Sequence, residues 1–328
     1  MVTLADVARH AGVSLATASR TLHGTRKVNE ELRRKVRLAA EELGYEANPT
    51  AQSLASGESN IIGLVVHDLV DPYFAAVADG AMAAADRHGL IVTVGTTRRD
   101  PAREVALVAA LRAQRARAII LAGSRSLDDP PQLAAELDRY RKAGGRVALV
   151  GQELPGLPAV APANRAGAAA LAGALAELGE PRFAILAGPP GLLTARDRTG
   201  GFAGELAARG LPAPLVVHGG FDRDGGHEAI ASVAAAGEAT CVFAVNDVMA
   251  VGAVAGLRER GIRVPEDLSV AGFDDISTLR DLVPALTTVR LPLAELGERA
   301  LELALGDGPR VEEVAGAVVL RASTGPVR

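Results

Sequence analysis

The 328-residue chain has no tryptophan, one cysteine, and aromatic side chains at only 3% of its positions. One cysteine cannot close an intramolecular disulfide, and Cys241, between Thr240 and Val242, reads as a small core residue rather than a reactive thiol. No apolar run approaches membrane-spanning length. The opening residues, Met1 to Asp6, lack the basic stretch followed by an apolar core that marks a secretory signal, so a cytoplasmic protein is expected. Also missing are a Walker A pattern, a G-x-G-x-x-G fingerprint after a strand and a G-x-S-x-G elbow. His227-Glu228 begins like a zinc-protease motif, but position 231 is Ala. Six scattered histidines and one cysteine do not suggest a metal site, so neither enzyme chemistry nor a cofactor is expected.

What is present is 48% hydrophobic and 23% charged, the balance of a folded α/β protein with a buried core. Its charge is uneven. Residues 1–37 hold eight Lys/Arg against three acids, a balance of +5, which leaves -9 for the rest of a chain whose total is -4. A basic end on an acidic body suits a polyanionic partner gripped at that end.

The basic end reads as three short helices. Thr3 caps the first, with Asp6 completing a capping box and Gly12 ending it. Ser14 caps a second, from about Leu15 to Leu22, and a third runs from about Glu30 to Leu43. A tight turn at Gly12-Val13 between the first two gives helix-turn-helix spacing, although a plain helical hairpin shares it. Ala8, Val13 and Ala18 are small or apolar where the helices must pack. That leaves Leu15, Ala16, Thr17, Ser19 and Arg20 to approach a DNA groove. Arg20 can read guanine through paired hydrogen bonds, whereas Leu15 and Ala16 can make only apolar contacts, for example with thymine methyls. After Asn48-Pro49, a short segment from Ala51 to Ser56 would be marginal as an isolated helix.

From Ile61 onward, short apolar runs alternate with longer amphipathic stretches. The expected strands are Ile61 to Val66, Ile91 to Val94, Ala118 to Leu121, Val147 to Val150, Phe183 to Leu186, Leu215 to Val217, Val242 to Val245 and Leu268 to Ala271. This is the βαβ rhythm of parallel sheets with helices on both faces. An irregular stretch, Leu154 to Pro162, divides the run, so two doubly wound subdomains with a cleft between them are expected. Ligands bind beyond the carboxyl ends of the strands in such sheets.

Particular words carry more. Val2-Thr3-Leu4-Ala5-Asp6-Val7-Ala8, Gly12 to Leu22, Glu41-Glu42-Leu43-Gly44-Tyr45 and Asn48-Pro49 closely resemble the LacI/GalR family of bacterial regulators. Gly63-Leu64-Val65, Asp71-Pro72-Tyr73-Phe74, Arg198 to Phe202, Asn246-Asp247, Val264 to Asp267 and Gly272-Phe273-Asp274-Asp275 extend the resemblance over nearly the whole chain.

That resemblance implies a helix-turn-helix headpiece (1–46), a hinge helix and linker (47–60), and a body of the type I periplasmic-binding-protein fold (61–328). The body would divide into 61–161 with 290–328, and 162–289. It implies a transcriptional regulator, most simply a repressor, that binds double-stranded operator DNA as a homodimer. Thr3, Ser14, Leu15, Ala16, Thr17, Ser19, Arg20 and His23 would contact DNA from the headpiece, and Asn48, Leu54 and Ala55 from the hinge. Leu54 holds the position of a leucine that wedges into the central base step and bends the DNA; ordinary surface exposure is the alternative. The Leu15-Ala16 pair resembles members preferring a pseudo-palindrome with a central CG step. No heptad segment follows the last apolar strand, Ala317 to Leu320, so a dimer rather than a tetramer is expected.

In the cleft, the resemblance implies effector contacts from Tyr73, Phe74, Thr194, Arg198, Phe221, Asn246 and Asp274. Arg198 and Asp274 suit vicinal hydroxyls or an anionic group, or else form an ion pair across the cleft. Phe221 either covers a ring or belongs to the core. Two departures limit the effector class: Gly151 and Ala163 stand where many sugar-sensing relatives carry an acid. A sugar is the first expectation, with a purine, a nucleoside or a protein corepressor as alternatives. A periplasmic sugar-binding protein would share the body but not the basic headpiece, and neither it nor an enzyme predicts salt-dependent DNA binding.

Overall fold

The computed structural model describes residues 2–23, 29–45, 59–127, 131–151, 153–306 and 311–325, with only the backbone of His23. The chain separates into two compact units, Met1–Asn60 and Ile61–Arg328.

The first unit holds α1 (Leu4–His10), α2 (Leu15–His23) and α3 (Glu30–Glu42). Their inner faces bury Val7, Ala8, Ala18, Val36, Ala39 and Ala40 in one small core. Such a core is thin, and polar fixings supplement it. His10 Nε2 lies 2.8 Å from Glu42 Oε2, joining α1 to α3.

The second unit runs β1 (Ile61–Val66), α4 (Pro72–Arg87), β2 (Ile91–Thr96), α5 (Pro101–Ala113), β3 (Ala118–Gly123), α6 (Pro131–Lys142), β4 (Arg146–Gly151), β5 (Ala159–Pro162) and α7 (Asn164–Glu177). It continues through β6 (Phe183–Leu186), α8 (Leu193–Ala208), β7 (Leu215–Val217), α9 (Arg223–Ala236), β8 (Cys241–Ala244), α10 (Asp247–Glu259) and β9 (Ser269–Ala271). The last elements are a 3-10 turn (Ser277–Arg280), β10 (Thr288–Arg290), α11 (Leu293–Leu305), β11 (Val311–Val314) and β12 (Ala317–Val319).

The strands form a six-stranded sheet in the order β11-β5-β4-β3-β1-β2 and a four-stranded sheet in the order β7-β6-β8-β9, with parallel pairing throughout both. β10 and β12 pair antiparallel. The fold is thus a helix-turn-helix unit followed by an α/β body of two parallel-sheet subdomains, as the sequence led one to expect. The chain passes between the subdomains three times, after β5, after β10 and after β11.

All eight expected strands are present, but three others were not anticipated. The stretch Leu154 to Pro162, read as irregular, carries β5 at its end, and β10 and β11 were also missed. β5 is four residues long and ends in Pro162; β11 contains Glu312-Glu313. β5 is short and closes on a proline, β11 is interrupted by two acids, and each is a strand because a neighbour supplies its hydrogen bonds.

Helix α11 returns to the first subdomain and crosses α4 closely. A Cβ at Gly80 would fall 1.8 Å from the Ala294 carbonyl oxygen, so only glycine permits that crossing. No helix among the described residues is long and apolar enough to cross a membrane.

Candidate functional site

The headpiece site follows from its caps. Thr3 has extended backbone; its hydroxyl accepts from the Asp6 amide at 3.3 Å, and Asp6 Oδ2 accepts from the Thr3 amide at 3.0 Å. These hydrogen bonds, the Thr3 side chain foremost, hold the Asp6 carboxyl below its ordinary range. Gly12 turns the chain at φ +65°, a conformation that glycine adopts without strain. Ser14 Oγ then accepts from the Thr17 amide at 3.1 Å and starts α2. With Ala18 fully buried, one face of α2 is committed to packing. Leu15, Ala16 and Arg20 stand exposed on the other, Thr17 and Ser19 are half-buried, and Thr3 and Ser14 are exposed at the caps. Leu15, at the start of α2, is 54% exposed. The His23 side chain, Asn48, Leu54 and Ala55 lie outside the described residues.

In the second unit, the carboxyl ends of both sheets face one cavity. Tyr73, Phe74, Thr194, Arg198, Phe221, Asn246 and Asp274 all line it. Asp71 starts α4, accepting from the Tyr73 amide at 3.0 Å, with Pro72 in the first turn. That cap directs Tyr73 and Phe74 into the cavity wall, where their rings meet edge to face with centroids 5.0 Å apart. Burial pushes the Asp71 carboxyl and the Tyr73 phenol above their ordinary values. Asn246 caps α10, accepting from the Met249 amide at 2.9 Å.

Arg198 is fastened on three sides. Nε donates to Asn164 Oδ1, Nη1 to the Val245 carbonyl and Nη2 to Asp274 Oδ1, each at 2.8 Å, and the guanidinium sits 3.8 Å from the centroid of Phe273. The expected ion pair therefore exists, but it lies within the second subdomain and does not cross the cleft. It forms because an unpaired guanidinium at this depth would carry an uncompensated desolvation cost. Asp274 hydrogen-bonds Arg198 through Oδ1, and its carboxyl is pushed up to about 6, burial outweighing the opposing pull of Arg198. Behind it, buried Asp247 accepts from Thr288 Oγ1 at 2.7 Å and from the Ile276 amide at 3.0 Å. Burial, and then the neighbouring Asp274, push Asp247 up to about 8.

Asp274 and Asp275 have φ of +124° and +58°, a strained pair of consecutive non-glycine residues. The strain is held by crossing segments: the Asp274 amide donates to the Val289 carbonyl at 2.8 Å, and Asp275 accepts from Arg290 Nε and Arg321 Nη2, both at 2.6 Å.

Several cavity residues were not anticipated, among them Arg99, Ser124 and Asn164. The Arg99 guanidinium lies 5.1 Å from the Phe221 ring centroid and Nη2 donates to the Phe221 carbonyl at 3.4 Å, so this pair, rather than Arg198 with Asp274, spans the cleft. Phe221 is half-buried: it lines the cavity and packs against the edge of the core. Arg99 lies three residues beyond the end of β2, and the rule that ligands lie beyond the carboxyl ends of parallel strands could have found it. Further closures run from the loop after β3 to the start of α8. The Leu193 amide donates to the Arg125 carbonyl at 3.0 Å, the Leu127 amide to Gly191 at 3.0 Å, and the Thr194 amide to Ser124 Oγ at 3.1 Å. Beneath that loop, Arg125 makes two hydrogen bonds to buried Glu104, at 2.7 and 2.8 Å. His67 supports it too: Nε2 lies 3.2 Å from the Ser124 carbonyl, which can only accept, so Nε2 carries the proton and Nδ1 accepts from Thr97 Oγ1 at 2.9 Å. Burial, helped by the charges of Arg99 and Arg125, lowers His67 to about 3, so the ring stays neutral.

Such a cavity, with aromatic faces, paired carboxylates and cations, and hydrogen bonds joining its two walls, can hold a polar ring-sized molecule and register its presence as closure. Comparison with known proteins matches a part of each unit to a known kind of domain. Residues 3–48 match the model for bacterial regulatory proteins of the lacI family, and residues 172–324 the periplasmic binding protein-like domain. The chain is 34% identical to the HTH-type transcriptional regulator GalR of Escherichia coli over 310 residues, covering 93% of this chain and 89% of GalR. It is 30% identical to the E. coli HTH-type transcriptional repressor CytR over 335 residues, covering 98% and 96%. Among solved structures, it is similar to a lac repressor dimer bound to operator and the anti-inducer ONPF (TM-score 0.85, 28% identity, 99% of each chain). It is also similar to a complex of the transcriptional regulator CelR with cellobiose (TM-score 0.73, 28% identity, 98% of this chain and 100% of that one). The chain belongs to the LacI family of bacterial regulatory proteins, and it is a DNA-binding transcriptional regulator rather than an enzyme.

Proposed function

We propose that this regulator is a sugar-responsive repressor that acts in the cytoplasm as a homodimer on a pseudo-palindromic operator with a central CG step. The observation that carries the effector half is the cavity between the subdomains, with Phe221 and Tyr73 as ring-covering faces and Asp274, Asn246 and Arg198 as hydrogen-bonding groups. Aromatic faces with a few convergent polar groups are what a polyhydroxylated ring requires. CelR, of the same fold, holds cellobiose, which supports the class. The DNA half rests on Leu15, Ala16 and Arg20, exposed together on α2, with the linker 47–60 supplying Leu54 as the minor-groove wedge.

The mechanism links the two sites. A ligand touching both walls favours the closed cleft, and closure alters how residues 47–60 of two protomers can pair on DNA. Effector and operator then change each other's affinity by the same factor, with typical couplings of about 1–3 kcal/mol. Purified protein incubated with fragmented DNA from its source genome, followed by sequencing of what is retained, tests the reading. A few sharp peaks on CG-centred palindromes, lost on addition of one sugar, are expected. Sugar-insensitive peaks would remove the effector half, and uniform retention would remove sequence-specific reading.

A further inference from the structure

The second sheet has another end. β6, β8 and β9 are parallel neighbours, with Phe183 beside Cys241 and Cys241 beside Ser269, so their amino ends lie together, opposite the end that faces the effector cavity. Glu180, Thr240 and Ser269 stand at or just before those three starts, and with Thr324 they line an open pocket. Glu180 is only 2% exposed, and its Oε2 has no hydrogen-bond partner. Burial, opposed only by hydroxyls and by no cation, pushes its carboxyl above the ordinary value. A carboxylate oxygen left in this way carries an uncompensated desolvation cost.

The surrounding hydroxyls cannot meet it, because their protons are spent elsewhere. Thr240 Oγ1 donates to the Arg182 carbonyl at 2.9 Å. Thr287 Oγ1 donates to the Arg321 carbonyl at 3.2 Å, so it accepts in its 2.7 Å contact with Thr324 Oγ1, and the Thr324 proton is used there. Thr240 and Thr324 therefore offer the pocket lone pairs, as Glu180 Oε2 does. At the rim, Arg263 is held by Asp267, with Nε at 2.8 Å and Nη2 at 2.6 Å, and Glu266 leaves the described lining net negative. A lining rich in acceptors and negative charge calls for a ligand that brings donors and a positive charge. A primary ammonium has three N–H donors and no acceptor. A metal ion fits less well, since no group of three or more His, Cys, Asp or Glu that could hold one occurs among the described residues.

We infer that this pocket is a second binding site, for a small aliphatic primary amine whose ammonium pairs with Glu180. Isothermal titration of the full chain at fixed ionic strength tests it, with n-butylamine as one probe and tetramethylammonium, of equal charge but without N–H donors, as the other. Saturable binding of n-butylamine, at least about tenfold tighter than tetramethylammonium, is expected. Equal affinities would mean general attraction to an acidic body, and the absence of saturable binding would leave the Glu180 oxygen to water; either overturns the site. Glu180→Gln removes the charge and gives Thr240 and Thr324 an amide donor to accept from, so it should fold. It is expected to bind n-butylamine at least about tenfold more weakly than the parent. An unchanged affinity would place the amine elsewhere and overturn the assignment, and the two probes decide the case on the parent protein should the variant prove unstable.

Discussion

Arg198 Nη2 lies 2.8 Å from Asp274 Oδ1, and both side chains are more than nine-tenths buried in the wall of the effector cavity. The guanidinium's other bonds go to Asn164 and the Val245 carbonyl, so Arg198 cannot swing toward a ligand without breaking three contacts. Arg198 is a fixed post; Asp274, which engages it through Oδ1, retains a second carboxylate oxygen for a ligand hydroxyl.

Removing Asp274 leaves that post charged, buried and unpaired. Asp274→Ala is expected to destabilise the body by about 3–5 kcal/mol, the usual result of deleting one partner of a buried pair. Urea unfolding measures it, and a loss below about 1 kcal/mol would mean that Arg198 does not depend on Asp274. At a temperature where the variant stays folded, operator binding should persist and its response to effector should vanish.

Asp247 and Asp274, pushed up to about 8 and about 6, hold protons in the native state that the unfolded chain releases above its ordinary carboxyl value. The native state therefore binds more protons than the unfolded one across this window. Stability from these groups falls as pH rises from about 4 to about 8, Asp274 acting in the lower part and Asp247 through the whole. Asp247→Asn keeps an acceptor for the Ile276 amide and a partner for Thr288, so it should fold. Compared with the parent by unfolding at pH 5 and pH 8, it should lose less stability between the two; a parallel pair of curves would sink the assignment.

The loop after β3 meets the start of α8 through Ser124, Arg125 and Leu127, and the Arg125 side chain in the middle of that loop is held by Glu104. Glu104→Ala is expected to cost about 3–5 kcal/mol and to free the closure contacts. Hydrogen exchange at the Leu127 and Leu193 amides reads this locally. Their protection should drop more than that of β6, whereas an equal drop throughout would indicate global destabilisation alone.

On DNA, Arg20→Ala should weaken operator binding by about 1–3 kcal/mol and relax preference at one base position. Uniform weakening across sequences, with a shallower salt dependence, would instead make Arg20 a phosphate contact. Leu54→Ala should weaken operator binding while largely sparing non-specific DNA, because only a specific complex opens the central step. Equal loss on both would remove the wedge.

Caps, helix ends and apolar strands were legible because each is written within about ten residues. Thr3 with Asp6, Ser14 before Leu15, and runs such as Phe183 to Leu186 behave as their local pattern dictates. All seven expected cavity residues line the cavity, since family words place them at strand ends and helix starts. The position of Arg99 after β2 was legible but overlooked; its pairing with Phe221, 122 residues away, was not.

By itself the sequence determined the helix-turn-helix, the alternation of strands and helices, the family and the identity of most cavity side chains. These depend on spacing, capping and composition, which act along the chain. Tertiary structure alone decided that Arg198 and Asp274, 76 residues apart, bond to each other. It alone decided that β5 and β11 are strands, and that Gly123 and Gly151 lie opposite each other at the carboxyl ends of β3 and β4. Each of these is a pairing between distant segments, and desolvation and hydrogen bonding select such partners only once the sheets have brought them within reach.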